Sequence, residues 1–370
     1  MPESKTAVGA SCDRSPPCAE WRQAIIGFVA VMISTSSYTV ILDRDKTINE
    51  DPGYLNDPAK VSLMPRAAEG IRLLNSFGIA IFVATNQSGV SRGLISEPQL
   101  LAVNDRISAL LAAEGAKVGE FFVCPHGDAD ACDCRKPKPG LIEQIITRHG
   151  AVPARTFLVG DRARDLECGA AMGMRGILVG SEETVVPENC VYRASDLHDA
   201  ASFILEVIFE EHAASHFYEN RDKFLPELER VRAAGKKVVF TNGCFDLLHS
   251  GHVQLLAQAR ALGDYLVLGL NSDRSVSALK GPARPVNSER DRARILAQLP
   301  YIDAVVVFDE DTPIELMKAI QPDIQVKGGD YVKEKLPEYE VMRAMGKEIV
   351  ILPFRKGYST TSILQRGGKA

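Results

Sequence analysis

Four short runs carry the residue types that phosphoryl chemistry requires. Asp43-Arg-Asp-Lys-Thr47 puts two carboxylates two residues apart, directly behind an apolar run. In an extended chain such residues share one face, so Asp43 and Asp45 both project from a strand end. Like charges that close need a cation, and Mg²⁺ favours hard oxygen ligands. Val83-Ala-Thr85-Asn86-Gln-Ser-Gly89 offers small hydroxyl and amide groups that can hydrogen-bond a phosphate. Arg135-Lys136-Pro-Lys-Pro-Gly140 supplies cations, and Val159-Gly160-Asp161-Arg-Ala-Arg-Asp165 supplies two further carboxylates. Each run alone is a common turn or cap. All four in this order, each behind a predicted strand, are far more specific.

A second kind of chemistry sits inside the same stretch. Cys124-Pro-His126 and Cys132-Asp-Cys134 give three thiols and one imidazole within eleven residues. Three Cys and one His make a closed tetrahedral zinc site of the structural kind; ordinary buried thiols are the competing reading. The run continues straight into Arg135-Lys136, so zinc would stiffen the loop that delivers those cations. The other five cysteines (Cys12, Cys18, Cys168, Cys190 and Cys244) are scattered and form no framework, which fits a reducing compartment.

The C-terminal half carries a different pattern. Lys237-Val-Val-Phe-Thr241-Asn-Gly-Cys-Phe-Asp246 reads as a strand and a turn, followed by His249-Ser-Gly-His252 at the start of a helical pattern. A helix N-terminus offers free N–H groups and a positive dipole to a polyphosphate. Two imidazoles there can donate to phosphate oxygens, although caps and solvated groups are the plainer reading. Gly269-Leu-Asn271-Ser-Asp273, Lys280-Gly-Pro-Ala-Arg284, Val326-Lys327-Gly-Gly-Asp330 and Tyr358-Ser-Thr-Thr-Ser362 continue the series. Thr241, Asn271, Asp273, Lys280, Ser359, Thr360 and Thr361 are its candidate substrate- or phosphate-binding residues.

These residues need sheets to position them. The chain has 370 residues, 45% hydrophobic and 25% charged. That composition is globular, excludes a disordered or fibrous class, and at about 150 residues per domain allows two or three domains. From Tyr38, β-rich runs alternate with helical patterns, the signature of parallel α/β architecture. Strands are predicted over Thr39–Leu42, Ile79–Ala84, Glu120–Val123, Thr156–Val159 and Arg175–Val179. A second set is predicted over Lys237–Phe240, Tyr265–Leu270, Ala304–Phe308, Asp323–Lys327 and Glu348–Leu352. The expected fold is therefore two Rossmann-like parallel-sheet domains. An N-terminal extension (1–37) precedes a first domain (38–211), a charged helical linker (212–234) broken at Pro226, and a second domain (235–370).

The formal net charge of −5 does not ask for nucleic acid, so no such partner is expected. Within the extension, Ala24–Ile33 is an apolar run of ten. A bilayer span needs about 20 residues, so no stable membrane insertion is expected. Such a run could serve as a signal-peptide core. The phosphometabolite chemistry downstream favours a packing extension or an unused upstream start, and a cytoplasmic location.

Over about residues 38–185 the chain resembles the haloacid-dehalogenase-like phosphatases. That resemblance implies Asp43 as nucleophile, Asp45 as acid/base, and Thr85 and Lys136 as phosphoryl-stabilising residues. Asn86 and Arg135 become substrate contacts, and Asp43, Asp45 and Asp161 the Mg²⁺ set, with Asp165 in support. The family pattern usually has Gly where this chain has Lys46. With the cysteine cluster (zinc on Cys124, His126, Cys132 and Cys134) the chain looks like heptose bisphosphate phosphatases, and also like the histidinol-phosphate phosphatase branch. Residues 236–366 resemble the cytidylyltransferase-like nucleotidyltransferases, and within them the adenylyltransferase domains of ADP-heptose synthesis. This implies that His249 and His252 act on the ATP phosphates, that Lys280 neutralises charge, and that Ser359, Thr360 and Thr361 lie near the β and γ phosphates. Taken together, the resemblances imply a bifunctional enzyme. It would release the 7-phosphate of D-glycero-D-manno-heptose 1,7-bisphosphate and then join AMP from ATP to the 1-phosphate. Its partners would be sugar phosphates and ATP, and it could be a homo-oligomer. The rivals are a histidinol- or glycerol-type phosphatase fused to a cytidylyltransferase, and a phosphometabolite-binding protein with one silent domain.

Overall fold

The computed structural model describes residues 35–329 and 331–353. The extension up to residue 34, Asp330 and the Ser359-Thr-Thr361 run lie outside the described residues. The chain divides into two units between Glu206 and Val207.

The first unit holds six parallel strands: β1 (Thr39–Leu42), β2 (Ala80–Asn86), β3 (Phe121–Cys124), β4 (Thr156–Gly160), β5 (Arg175–Val179) and β6 (Cys190–Ala194). Their order is β3-β2-β1-β4-β5-β6. Building runs outward from β1 in one direction, then restarts on its other side at β4. That reversal leaves a crevice beyond the carboxyl ends of β1 and β4, where ligands of open α/β sheets bind. All four residues of β1 are buried, as expected for a central parallel strand covered on both faces. One face packs Ile41, Phe82, Phe122 and Leu158 against Leu141, Ile142 and Ile145 of the helix Gly140–His149.

The second unit repeats the plan with β7 (Phe217–Tyr218), β8 (Val238–Gly243), β9 (Tyr265–Asn271), β10 (Ala304–Phe308), β11 (Ile324–Gly328) and β12 (Glu348–Leu352). The order is β12-β11-β8-β9-β10-β7, all parallel. Here the switch point falls between β8 and β11. Successive side chains on a strand alternate faces, and both sets are apolar. Val239, Leu266, Leu268 and Val305 meet Leu255, Leu256 and Leu296 on one side. Val238, Phe240, Val267 and Val306 meet Phe224, Leu228, Leu316 and Met317 on the other. Each such side chain contributes about 1.5–3 kcal/mol by leaving water, so the sheet is a rigid platform.

The expected strands β1, β5, β10 and β12 fall on the residues that the pattern predicts, and most others shift by one to three residues. Two strands escape it. β6 is a half-exposed edge strand containing Arg193, and β7 has only two residues. The linker expectation needs correction. The helix Leu197–His216 runs across the division, and Arg221–Ala233 buries Phe224, Leu228 and Val231 in the second unit's core. Residues 212–234 thus belong to that unit rather than tethering it. Pro226 does not break this helix; the apolar contacts on either side outweigh the lost N–H and ring clash, about 3 kcal/mol.

Candidate functional sites

Asp43 follows the last residue of β1, with its N–H on the Val159 carbonyl at 2.8 Å. Its Oδ1 lies 2.5 Å from Lys136 Nζ, and the same ammonium lies 2.7 Å from Asp165 Oδ1 and 2.7 Å from the Ala84 carbonyl. Lys136 is only 4% exposed, so one buried cation holds two carboxylates. Burial pushes the Asp43 carboxyl up to about 7; the charges of Asp165 and Asp45 add to the rise, and Lys136 opposes it. Asp161 is also raised, chiefly by burial and then by Asp165, with Arg162 and Lys46 opposing. Carboxylate oxygens of Asp43, Asp161 and Asp165 lie within 4.8 Å of one another. Those hard oxygens, on a buried cluster of like charge, fit Mg²⁺. The cavity they line is about 200 Å³ and also receives Thr85, Gln87 and Lys46. Gly160 is needed here: a Cβ on it would sit 2.5 Å from the Asp165 Cβ.

The four candidate zinc ligands converge. Cys124 Sγ lies 3.7 Å from both Cys132 Sγ and His126 Nδ1, and His126 Nδ1 lies 3.3 Å from Cys134 Sγ. Tetrahedral zinc with bonds of about 2.3 Å to sulfur and 2.0 Å to nitrogen requires ligand separations of about 3.5–3.8 Å. The donors fit that ion. Cys124 ends β3 and Lys136 lies two residues beyond Cys134, so the cluster borders the loop that carries the buried ammonium.

In the second unit, His249 and His252 stack with ring centroids 3.8 Å apart at the start of the helix Ser250–Arg260. His249 Nδ1 accepts the His252 N–H at 3.4 Å as the N-cap. Capping through Nδ1 leaves the proton of the neutral ring on Nε2, which can act as a donor. Burial pushes His252 down to about 4, with the charges of His249 and Lys280 adding to the fall. Opposite, at the switch point, Lys327 Nζ reaches Asn242 Oδ1 at 2.9 Å and the buried Glu338 at 2.7 Å. The buried Asp246 carboxylate pairs with Arg284 and accepts the Val286 N–H at 2.7 Å, which pins the 281–287 loop beside the turn after β8.

Residues 240–366 match the cytidylyltransferase-like family, and residues 133–200 match the HAD-hydrolase-like family. The first unit is thus similar to HAD-like proteins and the second to cytidylyltransferase-like proteins over those residues, and the names HAD-like domain and cytidylyltransferase-like domain denote that likeness. It is 52% identical over 145 residues to the bifunctional protein HldE of Hyphomonas neptunium, covering 39% of this chain and 30% of the relative. HldE of Pelobacter propionicus is 44% identical over 202 residues, 54% of this chain and 41% of the relative. The chain thus spans well under half the length of these curated relatives. A solved D,D-heptose 1,7-bisphosphate phosphatase from B. bronchiseptica, complexed with magnesium and phosphate, is 34% identical. That match covers 46% of this chain and 99% of the other, with a TM-score of 0.43.

The HAD-like domain brings Asp43, Asp45, Thr85, Asn86, Lys136 and Asp161 to one cavity, where Asp45 and Asn86 are also held by neighbouring groups, and only Arg135 of the expected contacts is turned away from it. Asp45 does not join the acidic trio. Its carboxylate accepts from Gln87 at 2.7 Å, from Asn49 at 3.1 Å and from Arg44 at 2.9 and 3.1 Å. Asn86 uses both ends of its amide on the Lys136 backbone, at 3.0 and 3.1 Å. Arg135 turns to Asp128 at 2.7 Å and the His126 carbonyl at 3.1 Å, so it laces the cysteine loop rather than lining the cavity. Sequence reasoning passed over Gln87, which bridges Asp45 to Thr85 Oγ1 at 2.9 Å, although it lies inside the Thr85–Gly89 run. It also passed over the fully buried Arg44 between the two aspartates, whose Nη1 donates to Asn104 at 3.0 Å.

The cytidylyltransferase-like domain departs further. Thr241 is 1% exposed and donates its hydroxyl to the Val326 carbonyl at 3.0 Å, locking β8 to β11. Asn271 donates to Ser275 Oγ at 3.0 Å. Asp273 Oδ1 accepts from Arg292 at 2.7 Å. Arg292, 1% exposed, also donates to the carbonyls of Cys244, Asn271 and Asn287 at 2.6, 2.9 and 3.1 Å. Thr241 is thus committed to the scaffold, while Asn271 and the half-exposed Asp273 are hydrogen-bonded within the domain. His249, His252 and the exposed Lys280 remain at the site, and Ser359, Thr360 and Thr361 lie outside the described residues.

Proposed function

We propose that the chain catalyses two consecutive steps of ADP-heptose formation in the cytoplasm. The HAD-like domain releases the 7-phosphate of D-glycero-D-manno-heptose 1,7-bisphosphate. The cytidylyltransferase-like domain then joins the heptose 1-phosphate to AMP from ATP and releases pyrophosphate. The observation that carries the first half is the Asp43–Lys136–Asp165 arrangement lining one cavity. Asp43 attacks phosphorus and the sugar oxygen leaves with a proton from Asp45, which must first release Gln87. Water then attacks the aspartyl phosphate, gives its proton to Asp45 and frees inorganic phosphate. Lys136 and Thr85 hold the phosphoryl oxygens. Mg²⁺, which Asp43, Asp161 and Asp165 would hold, supplies charge neutralisation at those oxygens. Zinc on Cys124, His126, Cys132 and Cys134 has a structural role.

In the second step no enzyme nucleophile is required. An oxygen of the sugar 1-phosphate attacks the α-phosphorus of ATP in line, the α–β bridging bond breaks, and pyrophosphate carries away the electron pair. His249, His252 and the helix start that His249 caps bear the developing charge, with Lys280 beside them. The similarity to HldE proteins supports this half. The test is one incubation with heptose 1,7-bisphosphate, ATP and Mg²⁺. Phosphate, pyrophosphate and ADP-heptose are expected together. Phosphate without ADP-heptose would overturn the two-step reading, and a preference for CTP would replace the adenylyltransferase with a cytidylyltransferase.

A further inference from the structure

Lys327 is the cation at the second sheet's switch point that the transfer chemistry leaves over. It lies at the carboxyl end of β11, one residue before Gly328. Its Nζ donates to Asn242 Oδ1 on β8 at 2.9 Å and to Glu338 Oε1 at 2.7 Å. An ammonium has three N–H groups, and the third meets no acceptor among the described residues. Glu338 is 3% exposed, and its Oε2 is buried without a donor among those residues. A buried ion pair is a poor device for stability, and one that leaves a carboxylate oxygen unfilled is poorer still. What the pair does is hold an ammonium in one place. The Lys327 side chain keeps 17% exposure, against 4% for Glu338. Glu338 offsets the charge of Lys327 but leaves it a free hydrogen-bond donor.

The ammonium and the histidine pair flank the sheet edge from opposite faces. Side chains alternate faces along a strand. Ile324 and Val326 share a core with Val239, Leu255 and Leu256, on the side of the helix that His249 caps. Lys327 therefore points to the other side, with Phe240 and Asn242. That side holds Met342 of the helix Tyr339–Ala344, and Glu338 is the N-cap residue of that helix. β11 pairs with β8 at Val326 and Thr241, which sets Lys327 beside Asn242. Phe245, three residues beyond Asn242, packs its ring on His252 with centroids 5.0 Å apart. The turn over 242–249 thus carries the imidazole pair on one flank and the ammonium on the other. In-line displacement needs the entering and leaving oxygens on opposite sides of phosphorus. With pyrophosphate leaving on the helix start, the entering oxygen comes from the side of Lys327.

Resting on the nucleotidyl-transfer reading, we propose that Lys327 binds the sugar 1-phosphate, the entering group, and that Glu338 is a positioning residue acting through it. One oxygen of that phosphate bonds to the α-phosphorus of ATP as the α–β bridging bond breaks and pyrophosphate takes the electron pair. Lys327 donates a hydrogen bond and transfers no proton. Lys327→Met alone would strand the buried Glu338 carboxylate, so the test is the double variant Lys327→Met/Glu338→Leu, which removes both charges and keeps the bulk. Pyrophosphate release by the full chain is measured with heptose 1-phosphate and ATP each varied. Loss of one charge-assisted contact should raise KM for heptose 1-phosphate at least about tenfold, with KM for ATP within about twofold. Glu338→Gln, which keeps an acceptor for Lys327, should raise the same KM by a smaller factor and leave that for ATP unmoved; it serves alone if the double variant does not fold. Unchanged KM values, a rise for ATP alone, or equal rises for both substrates would overturn the assignment and leave the transfer reading standing. A starting chain that releases no pyrophosphate from these two compounds overturns both.

Discussion

The two units share one architectural plan and use polar residues in opposite ways. In the HAD-like domain, buried charges are gathered around a cavity: Lys136 holds Asp43 and Asp165 while Asp161 completes an acidic trio. In the cytidylyltransferase-like domain, the buried charges face inward to the scaffold: Arg292 binds three carbonyls and Asp273, and Asp246 holds Arg284. The difference follows from the chemistry proposed for each. A covalent step needs a particular atom delivered to phosphorus. Transfer between two bound phosphates needs aligned backbone and helix ends, and side chains are free to fix the loops that carry them.

The sharpest way to break that comparison is to remove one reacting group from each unit. Asp43→Asn should lower phosphate release by about 10³ or more, with ADP-heptose formation from supplied heptose 1-phosphate within twofold. His252→Ala should lower nucleotidyl transfer by about 10²–10³ and spare phosphate release. Loss of both activities from either substitution would show that the sites are not independent.

Arg292→Met comes next. It keeps the bulk but removes the donor from three carbonyls and from the half-exposed Asp273, which should cost the second unit about 1–3 kcal/mol for each buried group left unpaired. Denaturant melts followed by hydrogen exchange on β8 and β9 peptides would read this, with β1 and β4 peptides unmoved. An unaltered second unit would mean that its polar residues are not scaffold after all. A smaller effect is expected at the cysteine loop. Metal analysis should find about one zinc per chain, and Cys134→Ser should lower zinc content and slow phosphate release through looser placement of Lys136. Full phosphatase activity without zinc would separate the loop from catalysis.

The same contrast explains what could be read from the sequence. Parallel alternation, both sheets and the four phosphatase runs were legible because hydrophobic period and strand-end carboxylates are local signals. The edge strand β6 was not, since half-exposed Cys190–Ala194 has no apolar run. Nor was the fate of Thr241: a threonine closing a strand looks the same whether its hydroxyl meets a phosphate or the Val326 carbonyl across the ladder. Asp45 and Asn86 sit in the right motif, but which way each side chain turns is set by Arg44, Gln87 and the Lys136 backbone. Arg292 gave no signal because a buried arginine on a charged helix reads as surface.

Acid should divide the two units, with opposite signs. His252 and His212 are both pushed down to about 4, chiefly by burial. Their unfolded forms take up protons first, so their contribution to stability is complete above about pH 6.5 and fades as pH falls toward about 4. Asp43 runs the other way. Its folded carboxyl is raised to about 7, so its contribution is complete below the unfolded carboxylate value near pH 4 and is lost as pH rises through 7. In metal-free protein taken from pH 7.5 to 5, protection of β8 and β9 amides should therefore weaken while Asp43 strengthens β1 and β4. His212→Gln should flatten the first trend, and Asp43→Asn should flatten the second. Two units that weaken together, or slopes that survive both substitutions, would place the titrating groups elsewhere. The contrast between a charged cavity and a neutral, stacked histidine pair would then not be what distinguishes the domains.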